Sequence, residues 1–174
     1  MSDFFEKVKG QVDPFKKLLS YIPGFKGYVE RQSRRDADKI LRDTVALRFE
    51  ELWKRSSALQ VELGNNRMYD FIDDMEKAST AMRTFIDRIS KAARGYSGLF
   101  DAVQINEKEL EAIYQFDLAF FELGDEISRA LDNVEATLKD MEGLPAAIRN
   151  LTSIARKALE TFDRRSEVVT GSGQ

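Results

Sequence analysis

The sequence predicts an all-α protein, an elongated antiparallel bundle of four main helices preceded by an amphipathic N-terminal helical segment. Three observations predict it. Apolar residues recur at steps of three and four over long stretches, the spacing that lines one face of a helix. No stretch alternates apolar and polar residues as a half-buried strand does. Only three prolines occur in 174 residues, each near an expected helix start or break. The expected organisation is an N-terminal segment over 1–25, the bundle over 26–165 and a flexible tail over 166–174.

The N-terminal segment carries Phe4, Phe5, Val8, Val12, Phe15, Leu18, Leu19 and Ile22 on one stripe. Asp13-Pro14 reads as N-cap and first residue of a new helix, so a kink or break is expected at 10–14. "IPGFKGY" (22–28) then interrupts the pattern. A long helix follows from about Glu30 to Leu63. Ala37, Leu41, Val45, Phe49, Leu52, Ser56, Leu59 and Leu63 line its face, with Ile40, Leu47 and Trp53 widening it. Gly64-Asn65-Asn66 supplies residues that tolerate the left-handed conformation and end it.

The third segment places Met68, Phe71, Met75, Ala78, Met82, Phe85, Ile89, Ala92 and Tyr96 on a heptad seam, a coiled-coil-like pattern. The fourth opens at Asn106 with a capping-box variant and a hydrophobic staple of Ile105 on Leu110. Its seam runs Leu110, Ile113, Asp117, Phe120, Gly124, Ile127, Leu131, Val134, Leu138, Met141, and Gly143 closes it. The fifth starts at Leu144-Pro145, carries Ile148, Leu151, Ala155, Ala158 and Phe162, and fades after Arg165.

Composition removes whole classes of chemistry. The chain has no cysteine and no histidine, which excludes thiol nucleophiles, disulfides, zinc–thiolate sites and histidine-based triads. Phosphate-binding glycine loops and the G-x-S-x-G elbow are absent. Net charge is −3, and "ERQSRRDADKILRD" interleaves bases with acids in the manner of exposed i,i+4 pairs, so no nucleic acid is expected. No cofactor or small-molecule substrate is evident. Carboxylates alone are plentiful: Asp70, Asp73 and Asp74, then Asp117, Glu122, Asp125 and Glu126. A carboxylate-only metal site in the bundle is one alternative reading.

Two surfaces invite a partner. Residues 106–142 hold eleven acids against three bases, an acidic flank suited to intramolecular pairing or to a basic partner. The connection 96–106, with Leu99, Phe100 and Val103, is apolar for a surface loop. It reads as a plug over the bundle end or as a docking element. The stripe of Phe4, Phe5, Val8, Val12, Phe15 and Leu19, among five lysines and three acids in 1–28, fits either docking on the bundle or an anionic membrane surface. An amphipathic N-terminal helix ahead of long helical hairpins is similar in layout, with no motif in common, to membrane-remodelling proteins of the phage-shock-protein-A type. That resemblance implies a membrane role for residues 1–25.

"DLAFFELGDE" (117–126) is the anomaly. Asp117 and Gly124 fall on a seam that is otherwise apolar. A buried aspartate requires a partner, for which Arg83, Arg88 or an arginine of the second or fifth helix is available. At the stripe edge it would simply be solvated. Gly124 suggests close approach of two helices, and together they are read as register and packing determinants. The function this supports is a non-enzymatic interaction or assembly protein, a scaffold or adaptor that binds a protein partner or itself. The alternative is a peripheral membrane-binding protein. A cytoplasmic location, extending to the inner face of a membrane, is expected.

Overall fold

The structure is a computed structural model that describes residues 14–22, 34–92, 107–139 and 141–169. Every described element is helical: α1 (Pro14–Tyr21), α2 (Arg34–Asn65), a 3₁₀ turn (Tyr69–Phe71), α3 (Ile72–Lys91), α4 (Glu107–Thr137) and α5 (Leu144–Val169). Phe4, Phe5, Val8, Val12, Leu99, Phe100, Val103 and the side chain of Phe15 lie outside the described residues, as do Tyr96 and Asn106.

Cross-helix pairs give the topology. Ser56 meets Ser79 and Gln60 meets Glu76, so α2 and α3 form an antiparallel hairpin. Asp117 meets Arg165, and α5 begins at Leu144 a few residues after α4 ends at Thr137, so these form a second. The hairpins pack side by side with like directions adjacent. Arg48 and Arg55 of α2 reach Asp125 and Asp132 of α4, while Phe85 and Arg88 of α3 reach Phe162 and Asp163 of α5. The bundle is thus antiparallel within each hairpin and parallel between them. α1 lies against α4.

The core follows the seams. Met75, Ala78, Met82, Phe85 and Ile89 of α3 are all buried, as are Ile113, Phe120, Ile127, Leu131 and Val134 of α4. Each of α2, α3, α4 and α5 contributes one phenylalanine to a central cluster. Phe85 lies 4.3 Å from Phe49, 5.3 Å from Phe120 and 6.3 Å, edge-on, from Phe162. Fully burying a ring of this size contributes about 1.5–3 kcal/mol.

The helix ends differ from the sequence expectation. α2 closes in a Schellman motif: Met68 N–H donates to Leu63 O (2.9 Å) and Arg67 N–H to Gly64 O (3.0 Å). The left-handed residue is Arg67 (φ 60), while Gly64 and Asn65 remain helical. α4 stops at Thr137, and the left-handed residue after it is Met141 (φ 58). Met141 therefore leaves the seam and is exposed. Gly143 serves proximity instead: a Cβ there would come within 3.1 Å of Thr137 Cγ2. Ile40 and Leu47 do not widen the α2 face, being 50 % and 59 % exposed. At the other end of the chain, α5 runs on to Val169, so residues 166–169 are helix and not tail. The reason is that Arg165 is buried at the next seam step after Phe162, and Val168 packs on the core.

Candidate functional site

The anomaly at Asp117 resolves into a buried charge network. Arg165 on α5 donates from Nε to Asp117 Oδ1 at 2.6 Å and from Nη2 to Asp38 Oδ1 at 2.8 Å. Arg42 donates from Nε to the other oxygen of Asp38 at 2.7 Å. Asp117, Arg165, Asp38 and Arg42 are 0 %, 1 %, 2 % and 4 % exposed. Two aspartates and two arginines balance in charge, which makes their joint burial tolerable. The network joins α2, α4 and α5, and it lies one helical turn from Phe120 and Phe162. Arg83 and Arg88, the other candidates for Asp117, are engaged elsewhere: Arg83 sits over the Trp53 ring at 5.1 Å, and Arg88 pairs with Asp163.

Asp38 and Arg42 correct one expectation. They are an i,i+4 pair as the spacing suggests, but buried and not on an exposed face. The signal was present: position 38 precedes Leu41 by three, and position 165 follows Phe162 by three. Both continue seams that apolar residues define. Their charge hides them from a pattern defined by apolar residues.

Gly124 faces side chains and not a neighbouring backbone. A Cβ built there would meet Arg48 Cγ at 3.5 Å and Phe49 Cε2 at 3.6 Å, ordinary contact distances. The Arg48 stem lies across α4 beside this glycine, and its guanidinium reaches Asp125 Oδ1 at 3.1 Å. The other oxygen of Asp125 accepts the Tyr21 hydroxyl at 2.7 Å. Burial pushes the Tyr21 pKa up to about 12, reinforced by the hydrogen bond to Asp125 and the negative charge of Asp125 and Glu122. Tyr21 also stacks on Phe121 at 4.7 Å between centroids. Leu18 and Ile22 are buried and Leu19 packs against the core, so this part of the N-terminal stripe docks on the bundle.

The acidic flank of α4 is largely matched from within. Glu122 pairs with Lys17, Asp125 with Arg48, and Asp132 and Glu135 with Arg55. Asp74 pairs with Lys77. Among the described residues no group of three or more carboxylates stands close enough to hold a metal ion. No described helix is long and apolar enough to cross a membrane.

The opposite balance holds between α3 and α5. A groove of about 780 Å³ runs there, flanked by Lys77, Arg149, Arg156, Lys157 and Arg164. Its acids are Asp74 and Glu160. Arg149, Arg156, Lys157 and Arg164 are exposed, and none forms an ion pair with a described residue. The sequence masked this face, because 143–174 carries only five bases against three acids. Four of those five bases gather on one side of α5.

Comparison of the chain with protein-family models, curated proteins and solved structures finds no match.

Proposed function

We propose that the chain is a non-enzymatic interaction module, a helical scaffold or adaptor whose internal register is fixed by the buried charge network. The observation that carries this reading is the contrast between its two charged faces. Glu122, Asp125, Asp132 and Glu135 of α4 are paired with Lys17, Arg48 and Arg55, whereas Arg149, Arg156, Lys157 and Arg164 stand exposed along one side of α5 with no ion pair to a described residue. Exposed charges cost little to maintain. A predominantly basic face, with Asp74 and Glu160 as its acids, on a protein of net charge −3 steers association. The chain's strongest polar contacts are spent inside the fold, where they align helices and are shielded from any substrate.

Crosslinking of the purified full chain in cell lysate, read by mass spectrometry, tests the reading. Crosslinks from the chain to a small reproducible set of other proteins are expected. Crosslinks confined to the chain itself would contradict it.

A further inference from the structure

We infer that the outer face of α2 docks on the same face of a second copy of this chain, with the two helices antiparallel. The inference goes beyond the charged-face reading of α5 and uses a different helix. A second seam runs along the back of α2, opposite the buried one: Ile40, Thr44, Leu47, Glu51, Lys54, Ala58 and Val61, at unbroken steps of four and three. All are exposed except Thr44, which is half-buried. On a helix of 3.6 residues per turn they occupy a strip about 100° wide, the width of a packing stripe. Five large apolar residues stand well exposed among the described residues, and three of them, Ile40, Leu47 and Val61 (64 %), lie on this strip. The Thr44 hydroxyl donates to Ile40 O at 2.7 Å, so covering it strands no donor.

The charges at the middle of the strip select a second copy as its occupant. Glu51 and Lys54 are consecutive seam positions, and neither forms an ion pair with a described residue. A parallel pair of α2 helices would set Glu51 against Glu51 and Lys54 against Lys54. An antiparallel pair sets Glu51 of each copy against Lys54 of the other, so one register makes the same opposite-charge contact twice. That register also lays Leu47 against Ala58 and Val61 against Thr44, a large side chain on a small one each time. Ile40 alone meets a polar residue, Asn65, at the end of the strip. Such two-fold self-complementarity is what a symmetric dimer requires. A polar pair on a helix seam fixes orientation and register at a cost in affinity. Arg48 and Arg55 border one edge, already held by Asp125 and Asp132 of α4.

Sedimentation equilibrium of the full chain at concentrations up to about 100 μM tests the surface. Wild type should populate a dimer. Glu51→Lys and Lys54→Glu should each weaken it at least tenfold, because each sets like charges against one another twice. An equimolar mixture of these two variants should recover the dimer, since the lysines of one then face the glutamates of the other. The chain has no cysteine, so the register is read separately with Leu47→Cys and Ala58→Cys in one chain. The two positions stand roughly 16 Å apart along one helix and cannot join each other, so oxidation should link two copies. Leu47→Cys alone should not link, its two copies being as far apart. This pair reads the contact even if a charge reversal does not fold. A wild type that stays monomeric, a mixture no more associated than its components, or linkage no faster than that of Leu47→Cys alone would overturn the inference. So would a dimer that ignores the reversals but is lost on removal of residues 1–13 or with Arg156→Glu, which would place the contact on the N-terminal segment or on α5. Lysate crosslinks to other proteins bear only on the α5 reading, so the two fail separately.

Discussion

Arg165 and Asp117 lie 48 positions apart in the chain and meet at 2.6 Å in a site closed to solvent. The same guanidinium reaches Asp38, so one side chain of α5 holds α4 and α2 together. Arg42 touches Asp38 from within α2 and bridges no helices. The two arginines should therefore differ in weight. Arg165→Met strips Asp117 and half of Asp38, and is expected to cost about 3–5 kcal/mol. Arg42→Met removes one charged hydrogen bond, and is expected to cost about 1–3 kcal/mol. Urea midpoints of the two variants check the ranking, and equal losses would show that cross-helix bridging adds nothing.

Gly124 gives a prediction of opposite sign for two substitutions. Its Cβ position is open at ordinary contact distance from Arg48 and Phe49. Gly124→Ala should raise stability by up to about 1 kcal/mol, the helix-interior cost of glycine. Gly124→Leu should lower it by roughly 1–3 kcal/mol, since Phe49 is fully buried and cannot yield. Thermal melts of both variants decide. A destabilising alanine would restore the view that two backbones approach here.

How much of this was legible beforehand depends on the residue. The four phenylalanines of the central cluster all lay on seams read from spacing, because burial of large rings and helical period agree. Asp117 was legible as an anomaly, since an acid between Ile113 and Phe120 breaks a pattern. Its partner was not, because pairing over 48 residues depends on which helices become neighbours. Asp38 and Arg42 were read as solvated for the same reason: local spacing shows that two charges can pair, but not whether a third helix covers them. Ile40 and Leu47 fail in the converse way, as apolar residues on an outer face. The cationic face of α5 needed the fold, because α3 supplies its second wall.

Tyr21 makes a pH prediction. Its hydroxyl is held neutral to about pH 12 in the fold, against about 10 for an unperturbed tyrosine. A raised folded pKa stabilises fully below the unfolded value and is lost as pH climbs through the folded one. Wild type should lose stability relative to Tyr21→Phe between pH 10 and 12, and the gap between them should be constant from pH 7 to 9. Parallel melting curves across the alkaline range check this. A gap that does not change with pH would place the Tyr21 hydroxyl in water.

Met141 and Arg67 are non-glycine residues in the left-handed region, at φ 58 and 60. Both are exposed, so replacing either loses little packing. Met141→Gly and Arg67→Gly should each raise stability by about 0.5–1 kcal/mol, because glycine adopts this conformation without a Cβ clash. Differential scanning calorimetry of each variant measures the change, and a lowered melting temperature in both would mean that these side chains hold the turns by contacts worth more than the strain.

Asp117 and Arg165 act as one coupled unit in the buried network. A double-mutant cycle with Asp117→Leu, Arg165→Met and the pair together, measured by urea unfolding, tests it most directly. Each single change leaves a charge in the closed site, so each should cost about 3–5 kcal/mol. The pair removes both charges and leaves apolar side chains of similar volume beside Asp38 and Arg42. Most of the loss should return, so the two single costs should exceed the cost of the pair by at least about 2 kcal/mol. Single costs that simply add, within about 0.5 kcal/mol, would contradict the claim that Asp117 and Arg165 fix the bundle together.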